Sequence, residues 1–186
     1  MLSGNTGVAS TPPEHLLRAA SQITGDHDVV VFGSPSVLAG IPEDRLPAVA
    51  TASIEAEFAF MNDSDAEKAN TVDGAIGELS PFHLNHGYYA QGVSLTTAVL
   101  PSGWEERLIP LDTPSTDPGR GLCLDPHDCV SAKLMAGRDK DRAFACALLR
   151  AGLINADVLL QRLESTPDAH PLALARARTW LLSMRS

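Results

Sequence analysis

Apolar and polar positions along the chain fall into two periods. Val29, Val30, Val31 and Phe32 form an unbroken run, which fits a strand buried on both faces. The run stops at Gly33-Ser34, and a short apolar helical pattern follows over residues 35–39. Further on, Ile54, Ala56 and Phe58 alternate with Ser53, Glu55 and Glu57. A period of two puts both glutamates on the same face of one strand. Residues 98–100 and 107–111 also read as strands, joined by a turn around Gly103.

Helical spacing dominates elsewhere. Thr11-Pro12-Pro13-Glu14 has the form of a capping box with prolines in the first turn, and Leu16, Leu17, Ala20 and Ile23 carry the pattern to about residue 24. Asn62, Asp63 and Ser64 offer caps for a helix over residues 65–76 that Gly77 ends. Asp125, Pro126 and Asp128 read as N-cap, first and third positions of a helix reaching residue 136. A second helix starts near residue 139 and ends at Gly152; others follow over 157–163, capped by Asn155, and over 171–184. Residues 42–47 read as a surface loop and the Pro/Ser/Thr/Gly-rich stretch 113–120 as a mobile one.

With 186 residues, 44% of them hydrophobic, the chain can bury one sizeable core, and no Pro/Gly/Ser-rich linker divides it. No window approaches the ~20 apolar residues of a membrane span, and residues 1–10 are small and polar without a basic leader. A cytoplasmic protein with no membrane partner is expected. Cys123, Cys129 and Cys146 are an odd number without framework spacing, as suits buried thiols in a reducing compartment.

Charge divides the chain. Residues 1–100 carry three basic and twelve acidic side chains, a net −9, whereas residues 101–186 carry eleven of each. Any attraction for a polyanion must therefore come from the C-terminal half. There, Arg138, Lys140 and Arg142 cluster at a helix start with Asp139 and Asp141 between them. The acids suit the helix dipole and the cations do not, so the cations either meet an external phosphate or form a solvated turn.

Several residues have chemistry to offer. Gly33-Ser34 after a buried strand can hold a phosphate, and Glu55 with Glu57 can share a divalent metal. Asp128 and Lys133 lie about 140° apart around their helix and need separate partners. His83 and His86 stand beside Tyr88 and Tyr89 without an evident third metal ligand, and a tyrosine there suits substrate contact better. Cys123, His127 and Cys129 invite a zinc reading but cross a strand-to-helix junction and lack a fourth ligand. Trp104 either stacks on a base or closes the edge of the core, and Arg176 and Arg178 on the last helix face water or support an acceptor RNA.

Gly33-Ser34, Glu55-x-Glu57, Asp128-x-x-x-x-Lys133 and Arg138-x-Lys140-Asp141 occur in the order of the motifs of the AbiEii-like toxin branch of the polymerase-β-like nucleotidyltransferase superfamily. Residues 76–82 and 103–108 also resemble an uncharacterised bacterial nucleotidyltransferase-like family in that branch, and the likeness spans about residues 28–163. The resemblance implies an α+β fold, a mixed sheet flanked by helices: a core over residues 1–124 with a flexible N-terminal tail, and a C-terminal helical lobe over 125–186 packed on it as one compact unit. It implies that Gly33 and Ser34 contact the triphosphate of an NTP, that Glu55 and Glu57 hold Mg²⁺ or Mn²⁺, that Lys133 meets the phosphates, and that Asp141 is the acid of the last motif. Arg138 and Lys140 would add to nucleotide binding, and Glu106 is the candidate for a third metal-binding acid. Members are toxin halves of toxin–antitoxin pairs, so the implied activity is nucleotide transfer to RNA, foremost a tRNA 3′ end, with an antitoxin as partner. A second reading is a catalytically weak protein of this fold that binds a nucleotide or a partner, and a third is modification of a protein hydroxyl.

Overall fold

The computed structural model describes residues 11–184; the tail expected over residues 1–10 lies outside the described residues. Thr11 opens the first helix with the expected capping box, its N–H donating to Glu14 Oε2 at 2.8 Å. That helix, α1 (Pro12–Thr24), ends where Gly25 turns left-handed and returns its N–H to Ser21 O.

The strand that follows, β1 (Asp28–Phe32), is the middle of a five-stranded mixed sheet. It pairs antiparallel with β2 (Glu55–Ala59) and parallel with β5 (Arg120–Cys123). Beyond these, β3 (Tyr89–Gly92) runs parallel to β2, and β4 (Ile109–Leu111) antiparallel to β5. The spatial order is β3-β2-β1-β5-β4.

The unbroken apolar run exists because β1 is covered on both faces. Val29 and Val31 pack with Leu16 and Leu17 of α1 and with Val72 and Ile76 of α3 (Glu67–Ile76). Val30 and Phe32 pack on the other face among Leu134, Phe144, Leu148 and Leu181. These come from α5 (Pro126–Ala136), α6 (Asp139–Arg150) and α8 (Pro171–Ser183), which with α7 (Ala156–Glu164) form the C-terminal helices. Each fully buried side chain of this size contributes about 1.5–3 kcal/mol. The fold is α+β, a mixed sheet flanked by helices, and one apolar cluster runs from the sheet into the C-terminal helices. No helix of the described residues is long and apolar enough to cross a membrane.

Two helix starts match their expected caps: Asp125 accepts the His127 N–H at 2.9 Å with Pro126 behind it, and Asn155 accepts the N–H groups of Asp157 and Val158. The helix expected from residue 65 begins at Glu67 behind a left-handed Ala66, and Asp63 reaches past that turn to accept the Lys68 and Ala69 N–H groups. Other expectations require correction. The helix after Gly33 is a single 3-10 stretch, Ser34–Ala39, so no long helix dipole is aimed at that turn. Ile54 precedes β2 and is exposed; Ala56 and Phe58 carry the buried face. Residues 98–100 are not a strand: a 3-10 turn, Leu95–Thr97, leads into them, and β3 takes that edge of the sheet. The strand expected over 107–111 is shorter, Ile109–Leu111, because Glu105–Arg107 form a 3-10 turn. The short helices α2 (Ala48–Thr51) and α4 (Pro81–His86) were not anticipated, their few residues being too short for periodicity to register.

The stretch 113–120 is fastened rather than loose. Thr116 is buried and returns its hydroxyl to Thr113 O, Thr113 Oγ1 donates to Glu14, and Arg18 reaches Ser115 O. Trp104 closes the edge of the core, its ring edge-on to Phe32 at 6.1 Å. The turn that carries Trp104 is tied to the helical layer by a buried ion cluster. Asp128 is wholly buried and receives Arg107 bidentately at 2.8 and 3.1 Å. Arg162 Nε of α7 lies 3.0 Å away, out of hydrogen-bonding alignment. Asp128 and Lys133 do find separate partners, as their angular separation on α5 requires.

Burial pushes the Asp128 carboxyl up from its ordinary range, and the two guanidiniums pull it back. Asp128→Ala leaves those guanidiniums facing one another without an anion, and is expected to cost about 3–5 kcal/mol in urea unfolding. Asp139→Ala removes a fully exposed carboxylate that pairs with Arg142 in the first turn of α6, and should move the urea midpoint far less than Asp128→Ala.

Candidate functional site

Phe32 ends β1, and the chain leaves the sheet through Gly33 at φ +73°, ψ −167°. Only glycine adopts that region at ordinary cost. Glycine is needed for space as well, because a Cβ there would stand 3.3 Å from Glu57 Oε2. The Gly33 carbonyl is held on the core side by the Ser36 hydroxyl at 2.8 Å and the Cys129 thiol at 3.3 Å. In a trans peptide plane the Ser34 N–H points the opposite way.

Register brings the acids to this turn. Glu57 is paired with Phe32 across β1 and β2, so its side chain leaves the sheet on the face covered by the C-terminal helices. Glu55, two residues earlier, shares that face. Burial first, and the neighbouring Glu55 charge second, push the Glu57 carboxyl above the usual carboxylate range; Lys133, Arg138 and Lys140 act in the opposite direction. The strand that flanks β2 supplies the supporting groups. Tyr89 lies beside Glu55 and Gln91 beside Glu57. The Tyr89 phenol is pushed up by burial, then by the charges of Glu55 and Glu78.

The opposing wall is cationic and comes from the junction of α5 and α6. Asp141, almost wholly buried, accepts Arg138 at 2.6 and 3.2 Å, and its Oδ1 is 3.5 Å from Lys133 Nζ. The Lys133 ammonium also lies over the Phe144 ring, 4.9 Å from its centroid. Asp141 thus faces cations of its own lobe and fixes where they point, while Lys140 remains exposed at the rim.

Between the two walls is a cleft of about 340 Å³. Its lining includes eight of the residues singled out from the sequence: Gly33, Ser34, Glu55 and Glu57 from the sheet side, Lys133, Arg138, Lys140 and Asp141 from the helices. Val49, Gln91 and Phe144 also line it and went unnoticed, since nothing in their sequence context separates them from ordinary surface or core positions. Glu106 lies on a 3-10 turn, Glu105–Arg107, away from this lining, so the third acid proposed from the sequence is not in the cleft.

The carboxylate pair suits a hard cation. Mg²⁺ takes one or two carboxylates and completes its shell with water and substrate phosphate, and the cleft offers this pair of carboxylates with no Cys, Met or His among its lining residues. Among the described residues, no group of three or more His, Cys, Asp and Glu is placed to hold a metal ion. The spacing that suggested zinc serves structure instead. His127 stands between Asp125 and the Asn155 N–H, Cys129 donates to Gly33, and burial pushes the Cys123 thiol up to about 12. His83 accepts the Leu79 N–H, and His86 packs among the rings of His15, Phe82 and Tyr88.

A family model described as "Nucleotidyltransferase of unknown function (DUF6036)" matches residues 14–173. The match takes in every residue of the cleft named above. No curated protein and no solved structure matches the chain.

The Glu57 environment has a measurable signature. A carboxyl that titrates higher folded than unfolded costs stability as pH rises through the interval between the two values, and costs none below the ordinary glutamate range. Glu57→Gln is therefore expected to raise the Tm at neutral pH, by about 2–4 °C for each kcal/mol relieved, and to leave it unchanged below about pH 4. Gly33→Ala should destabilise by about 1–3 kcal/mol in urea unfolding, because the backbone region excludes a Cβ and the Glu57 carboxylate must move away.

Proposed function

Because the chain belongs to this family of nucleotidyltransferases of unknown function, we propose that it is a divalent-metal-dependent enzyme that transfers a nucleotide from an NTP to RNA, foremost to a tRNA 3′ end. The observation that carries this reading is the meeting, in one cleft, of the Glu55 and Glu57 carboxylates with the Lys133, Arg138 and Lys140 cations. A triphosphate with its metal needs both kinds of group at once. Acids alone would repel it, and cations alone would leave no place for the metal.

In this reading Gly33 and Ser34 let the triphosphate approach the backbone closely, which a side chain at residue 33 would prevent. Glu55 and Glu57 would hold Mg²⁺ or Mn²⁺, with Tyr89 beside Glu55 on the neighbouring strand. When bound, the metal neutralises charge at the α-phosphate and lowers the pKa of the attacking hydroxyl. The acceptor hydroxyl gives up its proton to water, its oxygen bonds to the α-phosphorus as the bond from that phosphorus to the α,β-bridging oxygen breaks, and pyrophosphate leaves. Lys133 stabilises the leaving pyrophosphate. Its position is set by Asp141, which acts as a positioning residue through Lys133 and Arg138.

The order of Gly33-Ser34, Glu55-x-Glu57, Lys133 and Asp141 resembles the AbiEii-like toxin branch. That likeness favours RNA as the acceptor and the toxin half of a toxin–antitoxin pair as the setting, with a cognate antitoxin as partner.

Incubation of total RNA with each labelled NTP and Mg²⁺ or Mn²⁺ tests the proposal. Wild type is expected to label small RNA, and Glu55→Gln and Lys133→Ala are each expected to lower the rate by about 10²–10³-fold or more. Label on protein instead of RNA would move the acceptor to a protein hydroxyl. Label on neither, with every NTP and both metals, would leave a binding protein of this fold and end the enzymatic reading.

A further inference from the structure

A second cavity, of about 310 Å³, opens on the far side of the same residues. Gly33, Glu57, Lys133 and Arg138 line both spaces, so the two chambers meet at the groups to which phosphate and metal were assigned above. Their chemistry differs sharply. Beyond the four shared residues, the second chamber has no charged side chain among the described residues. Phe32 and Leu124 form the sheet side, Ala132 and Met135 the α5 side, and Ala98 and Val99 the side of the connection after β3. Its remaining polar side chains are Thr97 and Cys129, and the thiol is already engaged with the Gly33 carbonyl. The space exists because Ala132 and Ala136, one turn apart on α5, are small where a leucine would fill it.

We propose that this apolar chamber receives the nucleobase of the incoming NTP, whose triphosphate lies in the charged cleft. The inference rests on the nucleotidyltransferase reading and assigns the half of the substrate that the cleft leaves unplaced. Two considerations select the base over the acceptor strand. Base and triphosphate belong to one molecule, and a ligand anchored at Lys133 and Arg138 reaches both chambers without leaving those residues. An acceptor strand would have to bring its own phosphates against alanine, valine, leucine and phenylalanine, where a charge has no partner. The flat faces of a base find what they need there: an apolar sheet wall on one side and the polarisable Met135 thioether on the other. With a single free hydroxyl, that of Thr97, the chamber selects by ring size more than by side-chain hydrogen bonds.

Calorimetric titration with a nonhydrolysable α,β-methylene NTP and with inorganic tripolyphosphate, both in Mg²⁺, separates the two chambers. Ala98→Trp and Ala132→Phe narrow the second chamber from opposite walls, and Ala98 is only half-buried, so that variant folds even if the other does not. Each folded variant is expected to weaken the NTP analogue by about tenfold, since a ring kept out of an apolar wall forfeits the transfer free energy of its faces, and to leave tripolyphosphate unchanged. Lys133→Ala, in contrast, should weaken both ligands. Equal affinity of wild type for the NTP analogue and tripolyphosphate, or undiminished binding of the analogue by a folded variant, would overturn the proposal while leaving the phosphate site intact. Loss of RNA labelling with undiminished analogue binding would give the chamber to the acceptor. Failure of wild type to bind either ligand would overturn the cleft reading, and this inference with it.

Discussion

Strand β1 must be covered on both faces, and the placement of the site follows from that constraint. Val29 and Val31 require the α1 and α3 layer, Val30 and Phe32 require the C-terminal helices, and neither layer alone satisfies the strand. The chain can leave this sandwich only at an end of the strand. It does so at Gly33, where β2 brings Glu57 alongside and where α5 ends and α6 begins. The cleft is thus located at the C-terminal end of a buried strand, a common place for ligands in sheets covered by helices.

Electrostatics then gives the cleft two unlike walls. The acid wall lies on a strand whose register fixes both carboxylates on one face, and its cost is visible in the raised Glu57 carboxyl. The cationic wall is held by an acid that faces inward. Asp141 gathers Lys133 and Arg138 so that neither collapses onto Glu57. Asp128, on the preceding helix, does a different task with the same chemistry: it binds the Trp104 turn and α7 to α5. One buried aspartate positions cations for the cleft, and the other fastens the layer that carries them.

The two chambers beside Glu57 and Lys133 have opposite character because their outer walls come from different parts of the chain. The charged side is closed by α2, Gln91 and the start of α6. The apolar side is closed by the connection after β3 and by the small-residue face of α5. In the proposed reading, the triphosphate and the base of one nucleotide lie on either side of the residues that the two chambers share.

Much of this was written locally in the sequence. The apolar run at residues 29–32, the glutamate alternation, the capping box at Thr11 and the caps at Asp125 and Asn155 are all effects within a few residues of one another, where sterics and hydrogen bonding leave few choices. Eight of the residues singled out from the sequence line the cleft, and they occur at punctuated places: after a strand, along a strand face, and around a helix junction. Position in space was another matter. That Tyr89 backs Glu55, that Trp104 folds against Phe32, that the stretch 113–120 is fastened by Thr116, and that Glu106 stays outside the cleft depend on contacts between residues far apart in the chain. Val49, Gln91 and Phe144 look like any surface or core residues until the layers pack around them. The sequence by itself determined which groups were available and on which local face each would stand. Only the tertiary structure decided which of them meet, because the burial that joins β1 to both helical layers acts across the whole chain and leaves no periodic mark in any one segment.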